Sequence, residues 1–137
     1  MIVSNCDVIV DANYEDALRF HQTNGSSLTV FSSIQHHKIP YGVVHSERGG
    51  VVTEIIEKPE SMITINTGVY IMNCEALKCI PNNSYCDMPD LIKTLLKENK
   101  TVLTYPVNEG AYMDIGQWPL YQEAIKKLAD FAPRKNP

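Results

Sequence analysis

A strand, an amphipathic helix and a second strand follow one another within the first 34 residues, and that order constrains the fold more than anything after it. Ile2 to Val10 has strand character, interrupted by the polar run Ser4-Asn5-Cys6-Asp7 and resumed by Val8-Ile9-Val10. Asp11 or Asn13 caps a helix over residues 14–24, where Tyr14, Ala17, Leu18 and His21 share a face and Asn24-Gly25 supplies the stop. Leu28 to Ile34 is β-rich. The order predicts an α/β chain whose first two strands lie parallel and side by side through a right-handed crossover.

The remainder alternates in the same way. Val43-Val44 and Val51 to Ile56 flank Glu47-Arg48-Gly49-Gly50, whose glycines allow the positive φ of a tight hairpin turn. Ile63 to Met72 is a further strand, and Cys74 to Ile80 a short helix stopped by Pro81-Asn82-Asn83. Asp87 caps a helix whose Met88, Leu91, Ile92, Leu95 and Leu96 follow the spacing of one buried face. Val102 to Val107 is a strand, and residues 117–131 form a final helix with Trp118, Tyr121, Ile125 and Leu128 on one side. Residues 1–132 read as one domain and 133–137 as a disordered tail. A chain that starts directly on a core strand predicts that Met1 lies inside a longer parent.

Charge and cysteine usage narrow the partners. A net charge of −4 lacks the cationic surface that nucleic acid or an anionic membrane requires. Any phosphate must therefore be met locally, by a few cations or a metal. Cys6, Cys74, Cys79 and Cys86 form no CxxC pair and read as reduced thiols. No apolar run is long enough to cross a bilayer, and no basic segment precedes the first apolar stretch, so the expected compartment is the cytoplasm.

Several residues stand out against this background. Asp7 interrupts an apolar strand, where a carboxylate is costly unless it is hydrogen-bonded or holds a cation; it also fits a cap on the turn into Asp11-Ala12-Asn13. Asp114, in Ala111-Tyr112-Met113-Asp114-Ile115-Gly116, is a second lone carboxylate in an apolar setting, equally suited to the start of the last helix. Brought together, two aspartates suit a hard dication such as Mg²⁺. Glu57-Lys58-Pro59 ends regular pairing, leaving a carboxylate for hydroxyls and an ammonium for phosphate, or else an ordinary solvated face. Asn66-Thr67-Gly68 and Tyr41-Gly42 offer an amide, a hydroxyl and bare backbone to a ligand, or serve the turns that lead into strands. His36-His37-Lys38 reads as a solvated loop rather than a metal patch.

Taken in order, Asn5-Cys6-Asp7, Lys38-Ile39-Pro40-Tyr41-Gly42, Glu57-Lys58-Pro59, Asn66-Thr67-Gly68 and Tyr112-Met113-Asp114-Ile115-Gly116 resemble the sugar-1-phosphate nucleotidyltransferases, above all the mannose-1-phosphate guanylyltransferase and glucose-1-phosphate thymidylyl- or uridylyltransferase branch. The resemblance implies a Rossmann-like mixed sheet with flanking helices. It also implies a reaction in which a sugar phosphate oxygen attacks the α-phosphorus of a nucleoside triphosphate and releases pyrophosphate. By the same pattern Asp7 and Asp114 would hold Mg²⁺. Lys58 would contact the sugar phosphate, and Tyr41, Gly42, Glu57, Asn66, Thr67 and Gly68 would line the sugar pocket. Phosphoryl transfer agrees with this residue set, since it needs positioning and charge neutralisation more than covalent chemistry.

The resemblance ends at the nucleotide side. The family's glycine-rich loop of the type G-x-G-T-R-L and its following lysine have no counterpart, and no G-x-G occurs anywhere in the chain. The expectation is a portion lacking the N-terminal nucleotide-binding half. Such a portion would bind sugar 1-phosphate itself, meet nucleoside triphosphate only with the missing half, and be inactive alone. The alternative is a non-catalytic sugar-phosphate-binding or regulatory module. In either case an open sheet edge predicts self-association.

Overall fold

The computed structural model describes residues 1–130; the tail expected at 133–137 lies outside them. Eight strands and three helices alternate along the described chain: β1 (Ile2–Ser4), β2 (Val8–Val10), α1 (Tyr14–Thr23), β3 (Leu28–Lys38), β4 (Val43–Ser46), β5 (Val52–Ile56), β6 (Glu60–Met72), α2 (Met88–Lys97), β7 (Val102–Val107), β8 (Tyr112–Asp114) and α3 (Trp118–Asp130). Short 3₁₀ turns cover Cys74–Cys79 and Glu109–Ala111. The central sheet is mixed and runs β1-β6-β3-β7, while β2 pairs with β8 and β4 with β5. An α/β mixed sheet with flanking helices is thus the architecture.

The helix ends follow from their caps. The Asn13 side chain accepts from the backbone N–H groups of Glu15 and Asp16 at the start of α1, and Gly25 takes φ +59° just past its end. Asp87 accepts from Asp90 N at the start of α2. Gly49 and Gly50 adopt φ +93° and +80° in the β4–β5 turn, as the hairpin requires.

Leu28–Ser33 of β3 and Thr67–Met72 of β6 are covered on both faces, with successive side chains pointing to opposite sides, while the far ends of both strands are solvated. Leu28, Tyr70 and Met72 point toward the layer of Ala76, Leu91 and Leu95, and Val30 packs there too. Phe31, Val69 and Ile71 point the other way, toward Val10 and Ala17 of the α1 layer. Each large side chain so buried contributes roughly 1.5–3 kcal/mol.

Two expectations are corrected here. The first strand does run parallel to β3, but β6 lies between them, antiparallel to both. The reason is pairing length: β6 and β3 share a ladder from Leu28↔Met72 to Lys38↔Glu60, against which a three-residue β1 cannot compete for the edge of β3. The polar run Asn5-Cys6-Asp7 ends β1, and Val8–Val10 leave the sheet to pair with Tyr112–Asp114. Likewise His36-His37-Lys38 is no loop. These residues are the last of β3 and pair with Met62, Ser61 and Glu60. They remain solvated, with His36 Nδ1 and Lys38 Nζ 3.5 and 3.8 Å from Glu60 Oε1.

α3 packs on β8 through Ala124, which is buried, while Trp118 is 69% exposed and Tyr121 and Ile125 are also exposed. The apolar side picked out by the periodicity is therefore not the side that packs.

His21 joins three elements. Its ring Nδ1 meets Thr29 Oγ1 at 2.8 Å and its Nε2 meets Asn73 Oδ1 at 3.0 Å, with the residue only 2% exposed. Asn73 Nδ2 donates to Ser26 O, so its Oδ1 is the face turned to His21, and Nε2 must carry a proton. His21→Leu leaves the buried Thr29 hydroxyl without its partner, at about 1–3 kcal/mol, and releases the exposed Asn73 amide to solvent. Urea unfolding should show a loss of roughly 1–3 kcal/mol; a variant within about 0.5 kcal/mol of wild type would mean that the network contributes little.

Candidate functional site

The segment Asn66-Thr67-Gly68 turns out to be a bulge. Val30 pairs with Tyr70 and Ser32 with Asn66, so three residues of β6 face Phe31 alone. The Phe31 carbonyl, left without a ladder partner there, accepts from Thr67 Oγ1 at 2.9 Å. Thr67 is 1% exposed, so its hydroxyl is turned into the sheet. The bulge rests on Gly68, whose φ is +80° and whose missing side chain lets Asn5 lie against it: a Cβ there would sit 2.7 Å from Asn5 Nδ2.

Asn66 is held by both ends of its amide. Oδ1 accepts from Gly68 N at 2.9 Å, and Nδ2 donates to Tyr70 Oη at 2.7 Å. The first bond fixes which end is oxygen. Tyr70 is 3% exposed and accepts through its oxygen; among the described residues its own proton meets no protein acceptor. That proton is a donor available to a ligand. Sequence reading did not single out Tyr70, since a tyrosine in a core strand looks like packing.

Asp7 and Asp114 come together through β2 and β8. Asp7 precedes β2, Val8 pairs with Asp114, and Ile115 N donates to Asp7 O at 2.8 Å. Asp114 Oδ1 accepts from Gly116 N at 2.9 Å. A Cβ on Gly116 would lie 3.1 Å from Asp7 Oδ2 and 3.2 Å from Asp114 Oδ1, so both carboxylates converge on the same point. Tyr112 senses them. Burial first, then the charges of Asp114 and Asp7, push its phenol above the ordinary tyrosine pKa.

These groups share one cavity of about 400 Å³, lined by Asn5, Asp7, Asn66, Thr67, Gly68, Tyr70, Tyr112 and Asp114 together with the start of α2 at Asp87, Met88 and Pro89. A second cavity of about 390 Å³ shares Tyr112 and Asp114 and is walled by α3 and by Gln35 and Ile65. Two convergent carboxylates with open space beside them fit a hard dication that completes its shell with water or phosphate oxygens.

Tyr41, Gly42, Glu57 and Lys58 form a separate group at the base of the β4–β5 hairpin and do not line the 400 Å³ cavity. Ile39 N donates to Pro59 O and closes that base. Gly42 leaves room for Glu57, since a Cβ there would be 3.0 Å from Glu57 Oε2. Lys58 Nζ lies 4.0 Å from Glu57 Oε1, and Lys58 adopts φ +45°, a conformation uncommon for a residue with a side chain. Tyr41 is exposed.

A family model described as nucleotidyl transferase matches residues 1–130. Among curated proteins the chain is 29% identical over 121 residues to the mannose-1-phosphate guanyltransferase of Debaryomyces hansenii, covering 85% of this chain and 33% of that protein. It is 30% identical over 128 residues to the UTP–glucose-1-phosphate uridylyltransferase of Synechocystis, covering 88% of this chain and 32% of that one. The chain thus spans about a third of the length of these relatives. Among solved structures, HddC from Yersinia pseudotuberculosis superposes with a TM-score of 0.62 at 21% identity, over 93% of this chain and 55% of HddC, and it has also been solved with GMP-PN. The ordered motifs, the mixed sheet and the match over residues 1–130 together place this chain in the nucleotidyl transferase family, among the sugar-1-phosphate nucleotidyltransferases.

Proposed function

We propose that this chain is the sugar-phosphate-binding portion of a nucleotidyltransferase that joins a sugar 1-phosphate to a nucleoside triphosphate, giving a nucleoside diphosphate sugar and pyrophosphate. The observation that carries the reading is the convergence of Asp7 and Asp114 beside Gly116, in the same cavity as the Asn66–Gly68 bulge. In the reaction a phosphate oxygen of the sugar 1-phosphate forms a bond to the α-phosphorus, and the bond from that phosphorus to the oxygen bridging to the β-phosphate breaks. Asp7 and Asp114 would hold Mg²⁺, which when bound neutralises phosphate charge.

The chain's own residues divide the rest. Asn66 and the free proton of Tyr70 orient hydroxyl or phosphate oxygens. Gly68 and Thr67 set the bulge that presents them. In this reading Tyr41, Gly42 and Glu57 form the outer wall of the sugar pocket, and Lys58, held in its strained conformation, meets the phosphate. No G-x-G cradle for a triphosphate lies within the 137 residues, which supports nucleotide binding only in concert with further sequence. The same observation favours a second reading, a module that binds sugar phosphate without turnover. A cytoplasmic setting goes with both readings, and no described helix is long and apolar enough to cross a membrane. The outer edge of β1, unpaired among the described residues, is the surface through which we expect self-association.

The test is calorimetry of the whole chain with α-D-mannose 1-phosphate and α-D-glucose 1-phosphate in Mg²⁺. Binding of at least one is expected, with Lys58→Ala weakening it by roughly tenfold through loss of a charge-assisted contact. No hexose phosphate binding at millimolar ligand would sink both readings. Added nucleoside triphosphate should release no pyrophosphate from this chain alone; turnover at an enzymatic rate would show that the 137 residues suffice.

A further inference from the structure

α3 covers only part of the ribbon formed by β2 and β8. Leu120, Ala124 and Lys127 line the 390 Å³ cavity between helix and ribbon, while Lys127 and Leu128 line a third cavity of about 260 Å³. Ile9, Met113 and Leu128 give this third cavity apolar walls, and Asp11 and Lys127 are its charged groups. Ile9 and Met113 are cross-strand partners at the centre of the ribbon. Period-two alternation turns both away from Val8, Val10 and Tyr112, which belong with the core, and away from Asp114. The groove is therefore the back of the ribbon whose front carries Asp114. Apolar walls turned to water favour an apolar occupant.

The chain itself supplies one at the right place. The described residues stop at Asp130, and the sequence continues Phe131-Ala132-Pro133-Arg134-Lys135-Asn136-Pro137. The side of α3 turned to the ribbon runs through Leu120, Ala124, Lys127 and Leu128. Phe131 follows the last three of these by seven, four and three residues, intervals that share one helix face. It is also the one aromatic residue of 131–137, so a large apolar group enters the sequence directly after the residues that wall the groove. Charge agrees with this occupant. The segment carries Arg134 and Lys135 and no acidic side chain, whereas the whole chain has a net charge of −4 and Asp11 stands at the groove. A second copy would bring the same net negative charge to the same place, which disfavours it.

We propose that the groove between α3 and the back of the β2–β8 ribbon is the docking site of this chain's own segment 131–137, with Phe131 seated on Ile9, Met113 and Leu128 and with Arg134 and Lys135 on the acidic side. The segment then clamps the end of α3 to the ribbon. The seat does not depend on what the cavity on the front of the ribbon binds.

The test uses the full chain and its single tryptophan. Trp118 is 69% exposed, so wild type supplies the reference for a water-accessible indole, and Trp118→Phe removes it at little cost. In that background Phe131→Trp places the sole indole at the proposed seat. Its emission should be blue-shifted from that of Trp118 and severalfold less quenched by acrylamide, and adding Leu128→Asp should return both to the exposed values. In otherwise wild-type chain, Phe131→Ala should lower the thermal midpoint by about 5 °C or more, and Phe131→Leu should recover most of the loss. That pair carries the test if the larger indole destabilises the chain. An indole as quenchable as Trp118 in a variant that melts with wild type overturns the assignment, as does Phe131→Ala melting with wild type. Protection of the indole that disappears on dilution, alongside a dimer in light scattering, gives the groove to a second copy and overturns it too.

Discussion

Asp7→Asn and Asp114→Asn are each expected to abolish the response of this chain to Mg²⁺ while leaving it folded. The two carboxylates converge beside Gly116, and no lysine or arginine lines the 400 Å³ cavity that both share, so each supplies attraction that an amide cannot replace. A unit charge at about 4 Å is worth roughly 4 kcal/mol at an effective dielectric near 20, and a dication doubles the attraction. Loss of either carboxylate should weaken Mg²⁺-dependent hexose phosphate binding by at least about 100-fold. Without metal the change has the opposite sign. Two like charges facing one point repel, so the apo variants should melt at the same temperature as wild type or slightly above it. Asparagine at 114 retains an oxygen for Gly116 N, which keeps the turn intact. Tyr112 gives a readout independent of ligand. Burial is the first cause of its raised pKa and the two aspartates the next, so spectrophotometric titration should find it lowered in either variant but still above the ordinary value. If Mg²⁺ protects both variants from thermal unfolding as well as it protects wild type, the pair only shapes the β2–β8 turn.

Most elements were legible because their signals are local. Val102 to Val107 is read from its own residues, Asp87 and Asn13 declare the helix starts, and Gly49-Gly50 declares the hairpin. What was not legible is which strands become neighbours. Periodicity says that Ile2–Val10 and Leu28–Ile34 are strands, but the polar run at Asn5-Cys6-Asp7 splits the first into β1 and β2, and the long ladder of β6 decides that β1 and β3 do not touch. The strand end at His36-His37-Lys38 is invisible for a related reason. Both of its faces are solvated, so there is no apolar alternation to read, and backbone pairing with Glu60–Met62 holds it. On α3 the periodicity was correct and its meaning was not: Trp118, Tyr121 and Ile125 share a side, yet that side faces solvent.

The site divides the same way. Asp7, Asp114 and Asn66 stood out because a polar residue in an apolar strand costs free energy unless something compensates it. Tyr70 and Asp87 did not, because each already has a sufficient local explanation, as a core aromatic and as a cap. Thr67 was read as an offered hydroxyl, and its burial under Phe31 O shows that it builds the bulge instead of facing outward.

That bulge yields the largest expected change in stability. Gly68→Ala forces a side chain onto a residue at φ +80° and places its Cβ 2.7 Å from Asn5 Nδ2 and 2.9 Å from Asn5 Cγ. Backbone strain of this kind costs about 1–3 kcal/mol, and forcing an extra methyl into occupied space costs about 1–3 kcal/mol more. Urea unfolding should therefore show a loss of roughly 2–6 kcal/mol, a large fraction of what a domain this size has. The two contributions separate in a double-mutant cycle. Asn5→Ala removes the colliding amide while sparing the backbone bond from Asn5 N to Gly68 O, so in that background the alanine at 68 should cost only the strain. A coupling of about 1–3 kcal/mol between the two sites is expected. Equal costs in both backgrounds would mean that Asn5 moves aside freely, and that the glycine is required for its φ alone. Because Asn5 and Gly68 both line the cavity, such freedom would also make this wall of the site soft. A measured coupling means the opposite: the bulge and Asn5 form one rigid wall of the cavity.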